Sequence, residues 1–365
     1  MIAMMRANLG RRWGRTALTG LGVAFGVTTT VALLALTGGI SRSAGDLAKL
    51  GRADFGVFQS GLADLTASSL PASIVGRIDR LPGVAAAAPI QVVPHAIPAD
   101  SSILVFGAQL QSFLARRLVM VSGTTARGSQ AMVGVGAASS LHVRVGGHLT
   151  IAGRRLEVAG IYRSGISLED GGVVMSLPVL QRISRRPGQI SIIAILIRPG
   201  YLETQVEHAI QRAVPGTLAL GDPGEVSRVD TNSRLLSKAA VIIAVLSLLL
   251  GAVVVINTMA MAMIERQTEF GILAAIGWSR GRIARLILGE TVAISLAGAV
   301  VGLGIGALTS VLLVAALTAS TFVTPAITLW VLGRGVLVGF ALGVLGALFS
   351  LWQILRTPTL KALQR

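Results

Sequence analysis

Apolar residues collect in long uncharged blocks towards the two ends of this chain, while the stretch between alternates apolar and polar positions. Thr16 to Ser41 carries no charge, and Ala17 to Leu36 alone supplies the ~20 apolar residues that cross a bilayer. Ala239 to Ile264 is uncharged over 26 residues, roughly 39 Å of helix at 1.5 Å per residue. A ~30 Å hydrocarbon layer hides that length only if the helix tilts, so one end is expected to project. The uncharged stretch from Thr291 to Gly333 is too long for one helix. Pro325 and the β-branched Thr321, Val323, Thr324 and Thr328 break it at about 318–332, and Gly335 to Leu355 completes the set. Four spans are predicted, at about 17–37, 239–263, 285–316 and 334–355.

The middle of the chain is patterned for water. Residues 38–237 hold 19 Lys/Arg and 13 Asp/Glu, and about 200 residues suffice for an independent core. From His148 to Tyr162 apolar and polar residues alternate on both sides of Ala152–Gly153, which predicts a hairpin. Ile190 to Ile197 reads as a more buried strand, and helical patterns fall at about 71–80, 136–141, 177–185 and 202–214. The fold class is therefore a membrane protein: four transmembrane helices with a large α+β domain of two lobes inserted between the first and second. Its divisions are 1–41, the N-terminus with the first span; 42–234, the inserted domain; and 235–365, the other spans, the loop 265–285 and the tail.

Composition and charge turn this pattern into a topology. Only 13% of the 365 residues are charged and 53% are hydrophobic, with mean hydropathy +0.75, as expected if a bilayer is part of the solvent. The net charge of +16 does not point to nucleic acid, because 13 of the 32 basic residues lie outside the middle region, beside apolar blocks. Arg6, Arg11, Arg12 and Arg15 precede span one; Arg266, Arg280, Arg282 and Arg285 separate spans two and three; Arg356, Lys361 and Arg365 follow span four. The positive-inside rule then puts both termini and the 265–285 loop in the cytoplasm of a multi-pass cell-membrane protein, and the inserted domain outside. Trp13, Trp330 and Trp352 fall where an aromatic belt would. The length of the first apolar block, with no clear small-x-small cleavage site, reads as an anchor rather than a cleaved leader. Cysteine is absent, which excludes disulfides and thiolate metal sites.

Two further patterns concern packing. Gly298, Gly302 and Gly306 recur every four residues, as do Gly335, Gly339 and Gly343, so each set bares a stripe where backbones can approach, within one chain or between two. In the loop between spans two and three, a short helix is predicted from about Gln267 to Ile276 with Phe270, Leu273 and Ala274 as its apolar face. Gly277 suits the left-handed position that ends it. Glu290 is the sole acidic residue within a predicted span and reads as an interfacial partner for a nearby arginine.

Catalytic chemistry is not evident. The histidines are His95, His142, His148 and His208, with no His-Glu-x-x-His and no Gly-x-Ser-x-Gly in the chain. His142 and His148 flank a strand-like run, where metal binding is the alternative to the expected solvated or structural role. Glu169–Asp170 reads as an acidic loop before Gly171–Gly172. A P-loop requires a lysine after glycine, and Lys49, Lys238 and Lys361 do not follow one. The chain is expected to be no enzyme and to bind no cofactor, its energy coming from ATP on another polypeptide.

With those residues in view, the chain resembles the FtsX/MacB-like permease family, the membrane subunits of type VII ABC transporters. Arg15-Thr-Ala-Leu-Thr-Gly-Leu-Gly-Val-Ala-Phe-Gly26 is similar to the family's opening span. Met132-Val-Gly-Val-Gly-Ala-Ala-Ser-Ser-Leu141, Val145-Gly-Gly-His-Leu-Thr-Ile151 and Leu156-Glu-Val-Ala-Gly-Ile161 resemble its extracytoplasmic domain. Glu269-Phe-Gly-Ile-Leu-Ala-Ala-Ile-Gly277 is similar to its cytoplasmic coupling segment, and Pro358-Thr-Leu-Lys-Ala-Leu363 to its closing tail. Trp278 departs from the pattern, standing where the family usually has a small or polar residue. The resemblance implies a dimer of permeases, each bound to a cytoplasmic ABC ATPase, with Glu269, Phe270, Gly271, Leu273, Ala274, Ile276 and Gly277 at the coupling contact. It implies mechanical transmission to the outer domain, an extracytoplasmic adaptor as a further partner, and export or extraction of an amphiphile, peptide, drug or lipoprotein. The other class it allows is a non-transporting scaffold whose outer domain activates a cell-wall hydrolase; the ~200-residue outer domain favours export.

Overall fold

The computed structural model describes residues 13–62, 64–97, 101–229, 231–316 and 324–356. The chain packs as two units. One takes the first helix as far as Ala35, Lys238–Leu312 and the chain from Ala326; the other holds Leu36–Ser237 and the end of the third long helix from Leu313.

Four helices are long and apolar enough to cross a membrane. Span helix 1 is Trp13–Ala48, span helix 2 Thr231–Glu265, span helix 3 Arg280–Ala316 and span helix 4 Leu329–Arg356. The composition change at residue 41 falls inside span helix 1, because Ser41 to Ala48 contains no helix breaker. Its 36 residues make about 54 Å of helix. Span helix 4 starts at Leu329 rather than 334: Thr328 Oγ1 accepts from Val331 N–H at 3.3 Å, the contact of an N-cap residue. Thr324 to Thr328, around Pro325, have no regular structure, and Ala326 N–H donates to Ala35 O at 2.8 Å. Thr321 and Val323 lie outside the described residues.

Helix directions follow from the contacts within this unit. A Cβ built on Gly298, Gly302 or Gly306 would lie 2.6, 2.7 and 2.9 Å from the carbonyl oxygens of Gly20, Ala24 and Thr28. Both series ascend, so span helices 1 and 3 run parallel. Gly335, Gly339 and Gly343 face Leu303, Ala299 and Ser295 in descending order, so span helix 4 is antiparallel to span helix 3. Gly22 meets Val254 and Gly26 meets Ser247 O, which makes span helix 2 antiparallel to span helix 1. Thr28 Oγ1 donates to Gly302 O at 3.1 Å and Thr19 Oγ1 to Thr258 Oγ1 at 3.0 Å, polar links of the kind that join helices in lipid. Valines fill the rest, with Val23, Val27, Val31 and Val255 fully buried. Leucines such as Leu249, Leu250 and Leu308 point outwards, where acyl chains would meet them.

The other unit is α+β. Its strands are β1 (Phe55–Gln59), β2 (Leu70–Pro71), β3 (Val84–Ile97), β4 (Ser101–Ala108), β5 (Val119–Gly123), β6 (Ala131–Gly134), β7 (His148–Ile151), β8 (Arg154–Arg163), β9 (Val173–Ser176), β10 (Gln189–Ile190), β11 (Ile192–Ile197) and β12 (Thr217–Leu220). Ten of them form one sheet in the order β12-β1-β11-β3-β4-β9-β6-β8-β5 with β7 on β8, and β10 pairs with β2. Pairing in the large sheet is antiparallel except β4 with β9 and β6 with β8. The predicted hairpin is β7–β8: Ile151 pairs with Arg154, and Ala152 and Gly153 both take positive φ, 46° and 77°, as a two-residue type I′ turn demands.

One sheet runs through the whole unit, and its two faces are packed differently. On one face Phe55, Val57, Ile193 and Ile195 pack with Ile78, Val206 and Ile210, while Ile103, Val105, Val133, Val158 and Val173 form a second cluster with Ala137 and Leu180. The other face is continuous: Phe58, Ile192, Phe106, Val174 and Tyr162 share one cluster with Leu47 and Leu50.

Candidate functional site

The segment joining span helices 2 and 3 is a nine-residue helix, Gln267–Ala275. Gly277 follows with φ 89°, Ile276 N–H donates to Ile272 O at 3.0 Å, and Trp278 N–H donates to Leu273 O at 3.0 Å. That last bond is the long closure of a Schellman motif, whose usual companion is an apolar contact between the same two residues. Leu273 and Trp278 indeed pack together on Met263, Ile283, Ile287 and Leu351, from all three neighbouring span helices.

This packing alters the face read from the sequence. Leu273 is turned to the chain's own spans, and the outward apolar residues are Ile272 and Ile276, 57% and 67% exposed. Glu269 shares that side at helical spacing, with its side chain 53% exposed. Gly271 has open space where a side chain would stand. The side chains of Phe270 and Ala274 lie outside the described part of the structure.

At the start of the helix Arg266 is buried, 8% exposed. Its Nη1 donates to Glu290 Oε2 at 2.7 Å and its Nε to Glu269 Oε2 at 3.1 Å. Glu290 thus has the arginine partner expected for it, contributed by the loop residue that ends span helix 2.

Sequence reasoning missed Glu169. It lies in a short helix, Ser167–Asp170, and is buried, not part of an open acidic loop. Gly51 N–H donates to its Oε1 at 2.6 Å, a partner 118 residues away. Burial, with the Asp170 and Asp46 charges adding to it and the Gly51 N–H and Ser164 hydroxyl opposing, pushes its carboxyl up to about 7. Glu169 also lines a cavity of about 20 Å³ with Leu50, Phe106, Leu114 and Val174. No motif marks such a site; the adjacent glycines made it look like a loop.

The histidines lie apart from one another in the α+β unit. His142 ends the helix Val135–Leu141 in the left-handed conformation, and His95 Nε2 accepts from Ala152 N–H at 3.1 Å at the hairpin turn. His148 is exposed on β7. Among the described residues no three His, Asp or Glu come together as a metal site would need. An open cleft of about 410 Å³ runs beside Ala86–Ala88 and Phe113. The guanidiniums at its rim are engaged with backbone, Arg116 on Gln111 O and Arg117 on Arg52 O.

Known proteins resemble this chain in sequence. The family model for the MacB-like periplasmic core domain matches residues 16–213, more than half of the chain. That for the FtsX-like permease C-terminal region matches 241–359 and so takes in the short helix. The pyoverdine export ATP-binding/permease protein PvdT of Pseudomonas entomophila is 27% identical over 348 residues, 86% of this chain and 52% of its own length. The ABC transporter permease MJ1507 of Methanocaldococcus jannaschii is 27% identical over 187 residues, covering 48% of this chain and 47% of its own. The matched region therefore spans about half the length of each relative. The periplasmic region of MacB from Actinobacillus actinomycetemcomitans overlays 48% of this chain and 92% of that one, at 11% identity and a TM-score of 0.38. Two matched family models in sequence, one over the first span and the α+β domain and the other over the remaining spans, leave one assignment: the chain belongs to the MacB/FtsX-like family of ABC transporter permeases.

Proposed function

We propose that the chain is the transmission subunit of an exporter, driven by a separate ATP-hydrolysing subunit that docks on the short helix 267–275 and moving an amphiphile, peptide, drug or lipoprotein on the outer side. The observation that carries this reading is the two-sided character of that helix. Leu273 and Trp278 fix it to the spans, while Glu269, Ile272 and Ile276 present an exposed apolar strip with one charge, the kind of face a partner's groove takes up. The chain carries no phosphate-cradling loop of its own, and the names of its relatives pair permease with ATP binding and with export. Those names support export over the hydrolase-activating scaffold. A second permease completes the assembly. The arginine clusters around the spans support cytoplasmic termini and an outer α+β domain.

Tagged full-length chain purified from its own cells should bring down an ATP-hydrolysing subunit, and Ile272→Asp with Ile276→Asp should lose it while the permease still inserts. Retention of that subunit by the double variant, or its absence from the wild-type preparation, would sink the reading. Orientation has its own test in a chain without cysteine. Single cysteines replacing Ser129 and Ser279 should respectively react with and resist an impermeant thiol reagent on intact cells; the reverse pattern inverts the topology.

A further inference from the structure

Arg266 occupies an uncommon position for a charged residue. It is buried at the junction of span helix 2 and the short helix, and its backbone N–H still donates to Ala262 O and Met263 O, both at 3.2 Å, so it belongs to the last turn of span helix 2. Its side chain reaches Glu290, 24 residues on in span helix 3, and Glu269 in the first turn of the short helix. One guanidinium thereby joins three elements. The Glu290 side chain is only 14% exposed and that of Arg266 10%, so this pair has given up most of its water. A buried ion pair contributes little net stability, since desolvation offsets the attraction, but it holds a geometry, and a planar fork holds it better than an ammonium would.

The short helix is thus fastened twice. Its C-terminal end is held by the apolar contacts of Leu273 and Trp278, which can slide, and its N-terminal end by directed hydrogen bonds, which cannot slide without breaking. Covalent continuity links the short helix to span helix 2. Towards span helix 3, Gly277 and the turn after it intervene, and Gly277 has open space around it.

We propose that Arg266 is a positioning residue, a clamp through which displacement of the short helix by its ATP-hydrolysing partner is passed to span helix 3 by way of Glu290. This rests on the proposed function and adds the route by which that function enters the membrane unit. The clamp predicts that stability and coupling can be separated. Arg266→Met alone leaves the largely buried Glu290 without its arginine, and Glu290→Leu alone leaves the buried Arg266 with the half-exposed Glu269 in place of its buried partner, so either lowers the melting temperature. Arg266→Met with Glu290→Leu removes both charges and restores it.

The experiment uses the full chain with the ATP-hydrolysing subunit that co-purifies with it, in lipid nanodiscs, and reads three quantities: retained subunit, melting temperature, and the permease-dependent stimulation of ATP hydrolysis. The expected result for the double variant is wild-type retention and melting temperature with stimulation reduced about tenfold, the size of a typical coupling between sites. A double variant that recovers stimulation together with melting temperature shows a merely structural pair and overturns the clamp, as does full stimulation in a folded Glu290→Gln variant. Failure of the wild-type chain to recruit any such subunit overturns the underlying reading, and the clamp with it.

Discussion

The two units of this protein are packed by opposite means. In the α+β unit large side chains fill the interior: Phe55, Phe58 and Tyr162 are fully buried, with isoleucines and valines around them. In the span-helix unit the closest approaches occur where side chains are missing, at Gly298, Gly302 and Gly306 against one helix and Gly335, Gly339 and Gly343 against another. The solvent explains the contrast. In water each Å² of apolar surface withdrawn is worth about 25 cal/mol, so bulk belongs inside. In lipid a leucine gains nothing by moving from acyl chains to protein, and association rests on close backbone contact and a few polar links. Many large residues of the span helices, Leu249, Leu250 and Leu308 among them, accordingly point outwards. Carboxylates differ too: Glu290 among the span helices is paired with Arg266, whereas Glu169 in the α+β unit accepts from a backbone N–H.

The Glu169 carboxylate gives the largest effect by which to test this contrast. Its folded value of about 7 lies above the ordinary value of 4.5, so the folded unit binds the proton more tightly than the unfolded chain. The resulting stability is complete below about pH 4.5 and is lost as pH rises through 7, a change of about 3 kcal/mol from this group. Pulse proteolysis of the full-length protein in urea should show the α+β unit opening at lower urea at pH 8 than at pH 5. Glu169→Gln should flatten that difference, and an identical pH response in both proteins would remove Glu169 as its source.

A smaller effect sharpens the other side. Gly302→Leu forces a side chain to within 2.7 Å of Ala24 O and should cost about 1–3 kcal/mol of helix packing. Gly304→Leu, two residues along the same helix where nothing stands within 4 Å, should be neutral. Thermal unfolding in detergent compares the two, and equal melting temperatures would reduce the stripe to ordinary span composition.

Much of the architecture was legible because it depends on local rules. Uncharged length marked the span helices, alternation around Ala152–Gly153 marked a hairpin, and a glycine after a short helical run marked its end. Features that depend on distant neighbours were not legible. The sheet order places β9 beside β4 and β8 beside β6 in parallel, which no alternation reveals. Glu169 is buried because Gly51 reaches it across 118 residues. The orientation of the short helix was not legible for a different reason. Its apolar residues, Ile272, Leu273 and Ile276 among them, lie on more than one side, so only the packing of Leu273 and Trp278 decides which side is inward.

Matched spacing on span helices 1 and 3 has a mechanical consequence. Gly298, Gly302 and Gly306 face Gly20, Ala24 and Thr28, one small residue per turn on each side, and Thr28 adds a bond to Gly302 O. Two such surfaces behave like a rack with a fixed pitch. Sliding one helix by a single residue drives backbone against side chain, and the surfaces fit again only after four residues, about 6 Å. Small axial creep between these two helices is therefore blocked at every position but the resting one. Along their axes span helices 1 and 3 thus form a single strut.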